Sequence, residues 1–467
     1  MSGRGCPGCR KLRRRVAELE ARLLELEARL RELEARLGRN ASNSSLPPSQ
    51  NPPQAPAPVT KDPTGRAPGG QPGHAGQACR RLPPERVQHV VRHVPKRCAR
   101  CHTALPAEAQ PGDPAPSWHQ VLELAETPVV VTEHQGHART CPDCGQVTQA
   151  PIPAEVRGHR LGPRLTGLVG YLTGRLHASK RAVQELVTTV FGVPLALGSV
   201  TQAERELSEA LAPVHEAVGR AARDAPVCHV DETGWKQAGQ RRWLWTAVTD
   251  RLAYFTIHKH RSEEALTAVL GEAPRGIVVS DRWSAYRRLP VAGRQLCWAH
   301  LKRDFQKCVD RGGSATRIGR IGLGLVEMLF DTWQRWQAGH LTRRAWQAEV
   351  AEQQVWLTEL LESGARCRDR SVARFCQNLQ DLEPALWTFT RVPGVEPTNN
   401  RAERALRSGV LWRKCSFGCH SAAGCTFVAR LLTVLQTALL RGQQVFAYLG
   451  NALAAHRAGL QTLGLTG

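Results

Sequence analysis

Along the first forty residues, apolar side chains recur at alternating steps of four and three: Leu12, Val16, Leu19, Leu23, Leu26, Leu30, Leu33 and Leu37, with charged residues between them. This spacing predicts the seam of a coiled coil over residues 1–39. Gly38 and the polar run Asn40 to Ser45 stop the helix. Residues 46–77 are so rich in Pro, Gln, Gly and Ala that they cannot bury a core, so 40–78 reads as a disordered linker. Between Cys79 and about Pro153, short β-like runs (Val87 to Val94 and Val121 to Val131) are interleaved with cysteine pairs, which predicts a small β module over 79–155. Residues 160–222 return to helical spacing, broken at Gly192-Val193-Pro194 and again near Gly198. Segment 156–224 is therefore expected to be helical, with two helices in the manner of a helix-turn-helix.

At Pro226 the period changes from helix to strand. Val227 to Val230 runs into Asp231, and Arg242 to Val248 and Leu252 to Ile257 follow across two polar turns, which predicts a three-stranded meander. Glu263 to Leu270 is helical in pattern, and the apolar run Gly276 to Val279 leads to Ser280-Asp281. Gln295 to Ala299 is a candidate fifth strand. Three antiparallel strands, a crossover helix and further parallel strands describe a mixed sheet of the ribonuclease H type, an order that other α/β folds share. From His300 the pattern is helical almost to the end, so an α/β domain is expected over 225–440 and a helical tail over 441–467.

Composition narrows the partners. With 63 Lys and Arg against 41 acids, the chain carries a formal charge of +22, which favours a polyanion through counterion release. The helical pair over 156–224 is thus a candidate DNA-binding segment, although many such pairs never touch DNA. No stretch approaches the ~20 consecutive apolar residues of a membrane span, and the N-terminus has charges where a signal peptide has its apolar core, so a cytoplasmic protein without a membrane partner is expected. Fifteen cysteines, an odd number, point to thiols or metal ligands rather than a disulfide framework. Cys98-x-x-Cys101 and Cys141-x-x-Cys144 are two knuckles that together supply four thiolates for one structural Zn²⁺. Cys6-x-x-Cys9 has no visible second pair.

The acids suggest chemistry. Two-metal phosphodiester chemistry needs carboxylates that hold ions ~3.5–4 Å apart. Neighbouring strands lie about 4.8 Å apart, so acids at matching points on adjacent parallel strands have that reach. Asp231 and Asp281 each end or interrupt a buried apolar strand. Singly, each reads as a turn former or helix cap; together they read as a pair. A third acid, Glu403, lies on a helix that Thr398, Asn399 or Asn400 is placed to cap. Arg407 falls one turn on from Glu403, and Lys414 returns to the same face, where both are candidate phosphate contacts.

Four ordered motifs carry a resemblance. They are His229-Val230-Asp231-Glu232-Thr233-Gly234-Trp235, Val279-Ser280-Asp281-Arg282-Trp283-Ser284-Ala285-Tyr286, Cys297-Trp298-Ala299-His300-Leu301-Lys302-Arg303-Asp304-Phe305, and the run Asn399 to Arg407. Together with the zipper, the linker Gly69-Gly70-Gln71-Pro72-Gly73-His74 and the cysteine module in this order, they resemble the transposases of bacterial insertion-sequence family sixty-six. The resemblance implies a multidomain protein: N-terminal coiled coil, small zinc-binding β module, then an α/β ribonuclease H-like catalytic domain with a large helical insertion at about 306–395. It implies DNA transposition, with Asp231, Asp281 and Glu403 catalytic and holding two Mg²⁺ or Mn²⁺. The partners implied are element terminal repeats, target DNA and other element-encoded proteins, met on the bacterial nucleoid.

His300 and Arg303 are candidates for touching DNA or ordering the active site, against the plainer role of capping and solvating a helix. Trp333, Trp336, Trp346, Trp356 and Trp387 read as the core of a helical subdomain rather than a base-stacking surface. Cys415, Cys419 and Cys425, with His420, lack knuckle spacing and read as simple substitutions. The competing functions are a non-catalytic zinc- and zipper-containing DNA-binding protein, which would not need the three acids, and an inactive transposase relic.

The zipper generates its own test. With Leu12, Leu19, Leu26 and Leu33 at d, a parallel homodimer through residues 12–37 sets Arg15 against Glu20, Arg22 against Glu27 and Arg29 against Glu34 across the seam. Leucine at both seam positions leaves higher oligomers open. Each exposed pair is worth only ~0–1 kcal/mol, so the charges choose orientation while leucine burial supplies affinity. Changing Arg15, Arg22 and Arg29 to Glu is expected to weaken self-association, and mixing with the Glu20, Glu27, Glu34 to Arg variant to give a heterodimer by sedimentation. A monomer at micromolar concentration would defeat the zipper.

Overall fold

A computed structural model of the chain describes residues 81–466 apart from Ala109, Gly112, Pro116, Trp118, Glu126, Thr127, Gly145 and Leu463, together with Arg22, Glu25, Leu26, Glu27, Arg29 and Leu30. Those six residues are helical; the seam pairing and the linker expected around them lie outside the described residues. Two compact units emerge, Ala57–Val131 and the remainder.

In the smaller unit, the described residues of the runs 87–94 and 121–131 have no regular structure, where their composition suggested strands. Val90, Val91, Val121, Leu122, Val130 and Val131 are exposed. A strand needs a ladder partner and a face to bury, and neither run has one among the described residues. The regular feature here is local: an Arg97–Ala104 bridge closes the turn that bears Cys98 and Cys101.

Beyond Val131 the chain forms a hairpin, β1 (Ala138–Thr140) against β2 (Val147–Gln149), whose turn carries Cys141 and Cys144. Three helices follow: α1 (Pro163–Gly174), α2 (Lys180–Thr189) and α3 (Leu197–Arg223). Pro163 opens α1, where a missing N–H costs nothing. Ser179 Oγ caps α2 by accepting from Ala182 N at 3.2 Å. The expected break between α2 and α3 is at Gly192, whose φ is +64°. Val169, Leu172, Val183, Val187, Val200 and Ala203 form a small core among these helices. Further along α3, Leu207, Leu211, Val214 and Val218 enter a second core, so one long helix joins both.

The mixed sheet expected from the strand pattern is present. It comprises β3 (Val227–Gln237), β4 (Gln240–Val248), β5 (Ala253–His258), β6 (Ile277–Ser280) and β7 (Arg294–Leu296), in the order β5-β4-β3-β6-β7. The first three form an antiparallel meander, and β6 and β7 are parallel, reached through α4 (Glu263–Leu270). The fifth strand is shorter than its sequence suggested. Trp298, Leu301, Phe305 and Cys308 fall on one helical stripe and draw the chain into α5 (Trp298–Arg311).

Alternation along the strands divides the interior in two. Cys228, Val230 and Val278 face one core; Val279 faces the other. That second core is built with α5, α6 (Ala315–Gln337), α7 (Arg343–Ala365), α8 (Arg370–Leu386) and α9 (Thr388–Arg391). Trp346 and Trp387 are buried in it, Trp333 and Trp336 pack against Trp346, and Trp356 is left exposed. The chain closes with α10 (Asn400–Ser416), α11 (Ala422–Leu440) and α12 (Val445–Arg457). Leu449 and Leu453 of α12 are buried in the first core.

By length and composition α11 is apolar enough to cross a membrane, yet 61% of its most apolar window is buried within the protein. It lies along β5, where the backbone N–H groups of Ala253 and Phe255 donate to Thr437 and Thr433 hydroxyls at 3.1 and 2.9 Å. At the other edge, buried Gln295 of β7 donates to Leu386 O at 3.0 Å and accepts from Phe389 N at 2.8 Å. Both edge strands, normally open templates for pairing, are thus closed by helices.

Glycines set the approach of α5 to α6. A Cβ on Gly319 would stand 2.6 Å from Phe305 O and 2.7 Å from Val309 N, whereas one on Gly324 would meet nothing within 4 Å. Gly319→Ala is therefore expected to destabilise by ~1–3 kcal/mol in denaturant titration. Gly324→Ala, in the same helix, should be neutral or stabilising by up to ~1 kcal/mol.

Candidate active site

Parallel pairing of β3 with β6 matches Cys228 to Val278 and His229 to Val279. Two residues further on, the same register sets Asp231 beside Asp281, just past the end of β6. Asp231 is within β3, opposite Thr246 of β4. Its Oδ1 accepts from Glu232 N at 2.9 Å, and Asp281 Oδ1 accepts from Trp283 N at 2.8 Å, so backbone N–H groups orient both carboxylates.

Glu403 arrives from α10 through a chain of backbone bonds. Cys297 N donates to Ser280 O at 2.9 Å, and Trp298 N donates to Pro397 O at 2.9 Å. Asn399 N donates to Cys297 Sγ at 3.2 Å, while its side-chain amide donates to Val230 O at 2.8 Å. Asn399 stands at the cap of α10, but its side chain makes no capping bond; the amide is engaged by the strand instead. Its Oδ1 lies 3.3 Å from His229 Nδ1. Burial pulls the His229 imidazole down to about 4, so the ring is neutral and donates or accepts according to tautomer.

Asp281 and Glu403 both lie near enough for their charges to act on Asp231. Burial pushes the Asp231 carboxyl well above its ordinary range, and the charges of Glu232, Asp281 and Glu403 push the same way. Such a cluster favours a cation, and hard divalent ions suit carboxylate oxygens. His300 Nδ1 and Arg303 Nη2 stand 3.6 and 3.7 Å from Glu403 Oε1. Burial and the Arg303 charge hold His300 below its ordinary value. Both residues therefore border the acids. Arg407 and Lys414 are exposed on α10, whereas Arg413 turns inward to Gly234 O and Thr233 Oγ1.

Several residues escaped the sequence reading. Glu232 is buried, paired with Arg261 and accepting from Tyr286 Oη at 2.6 Å; burial raises its carboxyl, which Arg261 opposes. Arg261 also approaches Asp281 at 3.7 Å and lies over the Trp283 ring at 4.0 Å. Buried Arg294 donates to Asp281 O at 3.2 Å. The signal for Glu232 was its place beside Asp231 in a strand; Arg261 and Tyr286 sit in a loop and a short 3₁₀ turn, where no periodicity marks them.

The cysteine pairs each form a tight knuckle. Cys98 N donates to Thr103 O at 2.9 Å and Arg100 N to Cys98 Sγ at 3.4 Å. A hydrogen bond with the Thr103 side chain is the main cause that lowers the Cys101 thiol to about 7. Backbone N–H groups of Cys144 and Asp143 lower that of Cys141. The pairs belong to different compact units. Cys415 and His420 are exposed.

Sequence comparison places the chain among the transposases. Residues 162–426 match the Transposase IS66 family, more than half of the chain, and the protein belongs to that family. Residues 7–80 match a family of unknown function. Two relatives come from Sinorhizobium fredii (strain NBRC 101917 / NGR234). The uncharacterized protein y4hP is 24% identical over 68% of this chain and 63% of its own length. The uncharacterized protein y4qI is 23% identical over 46% of this chain and 43% of its own. The chain thus spans less than two thirds of either relative.

The buried ion pair beside the acids is open to a direct test. Arg261→Gln leaves Glu232 without its cation and is expected to cost ~3–5 kcal/mol in urea unfolding. Tyr286→Phe removes one hydrogen bond to a charged group and should cost ~1–3 kcal/mol. Adding Glu232→Gln to Arg261→Gln should recover part of the loss; no recovery would show that Arg261 acts through other contacts.

Proposed function

We propose that the protein is a DNA transposase that hydrolyses phosphodiester bonds at the ends of an insertion element and joins the freed 3′ hydroxyls to target DNA. This reading is supported by Asp281 and Glu403 lying near enough for their charges to act on Asp231, in a chain of the IS66 transposase family. The strand order, meander first and parallel strands after, is compatible with a ribonuclease H-like catalytic domain.

Asp231, Asp281 and Glu403 would hold two Mg²⁺ or Mn²⁺ ions, which supply charge stabilisation to the attacking and leaving oxygens of an in-line displacement. The fit is supported by the raised Asp231 carboxyl and by Glu403 Oε1, which is buried without a hydrogen-bond partner among the described residues. The chain's own work is positioning. The Trp283 and Glu232 N–H groups fix the rotamers of the two aspartates. Arg261 neutralises Glu232, so this fourth acid is held out of the site. Arg303, Arg407 and Lys414 offer cations to phosphates alongside, and His300 orders Glu403.

Hydrolysis leaves a 3′ hydroxyl and a 5′ phosphate, and strand transfer breaks one target phosphodiester while forming another, so neither step needs a redox partner or a covalent protein–DNA bond. The knuckles at Cys98–Cys101 and Cys141–Cys144 present thiol pairs suited to structural zinc. The seam at 12–37 would hold two copies, as joining two ends requires.

Cleavage and strand transfer on DNA carrying the element's own ends, with and without Mg²⁺ or Mn²⁺, test this reading. Asp231→Asn, Asp281→Asn and Glu403→Gln are each expected to abolish cleavage while leaving DNA binding and folding nearly unchanged, since an amide is a poor ligand for a hard cation. A variant that still cuts removes its residue from the site. Wild-type protein that binds the ends without cutting in either metal would return the chain to the non-catalytic class.

A further inference from the structure

Cys297, His300 and Glu403 stand apart from the two aspartates in their chemistry. One ligand atom from each lies within 4.8 Å of the others, and the set joins a thiol, an imidazole and a carboxylate. Cys297-x-x-His300 straddles the start of α5, so the spacing alone sets both side chains on the first turn of one helix. Glu403 comes from the first turn of α10, docked by Asn399 against the same cysteine.

Two of these atoms are orphans. His300 Nδ1 and Glu403 Oε1 are buried, face each other at 3.6 Å, and have no hydrogen-bond partner among the described residues. The gap is too long for a hydrogen bond. It is close to the separation of two ligands on one tetrahedral zinc, roughly 3.4 Å when each bond is ~2.0–2.1 Å. At the third corner Cys297 Sγ accepts from Asn399 N at 3.2 Å, an N–H that would steady a thiolate.

We infer that Cys297, His300 and Glu403 form a second metal site, selective for a borderline or soft divalent ion such as Zn²⁺, with its fourth position open. Magnesium is a poor guest here, because thiolate and imidazole select zinc-like ions while carboxylate oxygens suit magnesium. Binding displaces the thiol proton to solvent and moves Arg303, 3.7 Å from the same Glu403 oxygen and partly exposed, off that oxygen. Where Glu403 also serves the catalytic ions, as proposed above, zinc here withdraws the third carboxylate from them. Metal choice then becomes a switch, with zinc holding the enzyme idle. That consequence rests on the transposase reading; the site itself does not.

Cobalt(II) substitution tests the site without an activity readout. The full-length reduced protein, stripped of metal and titrated anaerobically with Co²⁺, is compared with Cys297→Ser and His300→Gln by thiolate-to-cobalt charge-transfer absorption and by bound metal per chain. Each variant is expected to bind one equivalent fewer than wild type, with circular dichroism unchanged. His300 is partly exposed, so His300→Gln keeps the test open if the buried Cys297→Ser misfolds. Asp231→Asn should keep the thiolate-to-cobalt absorption that Cys297→Ser and His300→Gln lose. A folded variant at Cys297 or His300 that retains the wild-type number overturns the site. Loss of cleavage in Asp231→Asn with the thiolate-to-cobalt absorption intact separates this result from the transposase reading.

Discussion

A single buried amide holds the site together. Asn399 donates from its side chain to Val230 O, beside Asp231, and from its backbone to Cys297 Sγ, whose own N–H reaches Ser280 O beside Asp281. Three segments separated by up to 169 residues along the chain are thereby fixed at one point. Its carbonyl also accepts from Glu403 N at 3.2 Å, so the same residue begins the helix that delivers the third acid. A buried amide in such a place is exacting. Every partner lost leaves a desolvated polar group, so the arrangement is specified rather than merely permitted.

Charge balance follows from that convergence. Asp231 and Glu232 lie where water is largely excluded, and burial resists their ionisation. The protein answers one of them internally: Glu232 is matched by Arg261 and the Tyr286 hydroxyl. Arg261 is steadied in turn by the Trp283 and Trp243 rings, 4.0 and 5.2 Å away. Asp281 and Glu403 are each approached by an arginine at 3.7 Å.

The sequence revealed the frame more readily than the joints. Asp231 and Asp281 stood out because each interrupts an apolar strand, and the strand periods foretold the meander and the parallel pair. Glu403 needed its motif, since a helical Glu with Arg four residues on is ordinary. Asn399 was read as one of three possible caps because Asn is common there; that its amide serves a strand instead depends on a contact 169 residues away, which no local pattern carries. Tyr286 and Arg261 fall in a 3₁₀ turn and a loop, where periodicity has nothing to report. The valine-rich runs at 87–94 and 121–131 show the opposite error: composition favoured strands, but no ladder partner is present among the described residues.

The closure of both sheet edges bears on how copies of this protein can meet. Hydroxyls of α11 occupy N–H groups of β5, and Gln295 couples β7 to the residues that end α8 and begin α9. A neighbouring chain could extend the sheet only by first peeling away a helix that is part of the main core. Pairing of a second copy by strand addition is therefore disfavoured, and contacts between copies fall to helical faces and side chains. The sheet can be crowded against a second copy with little tendency to polymerise into fibres.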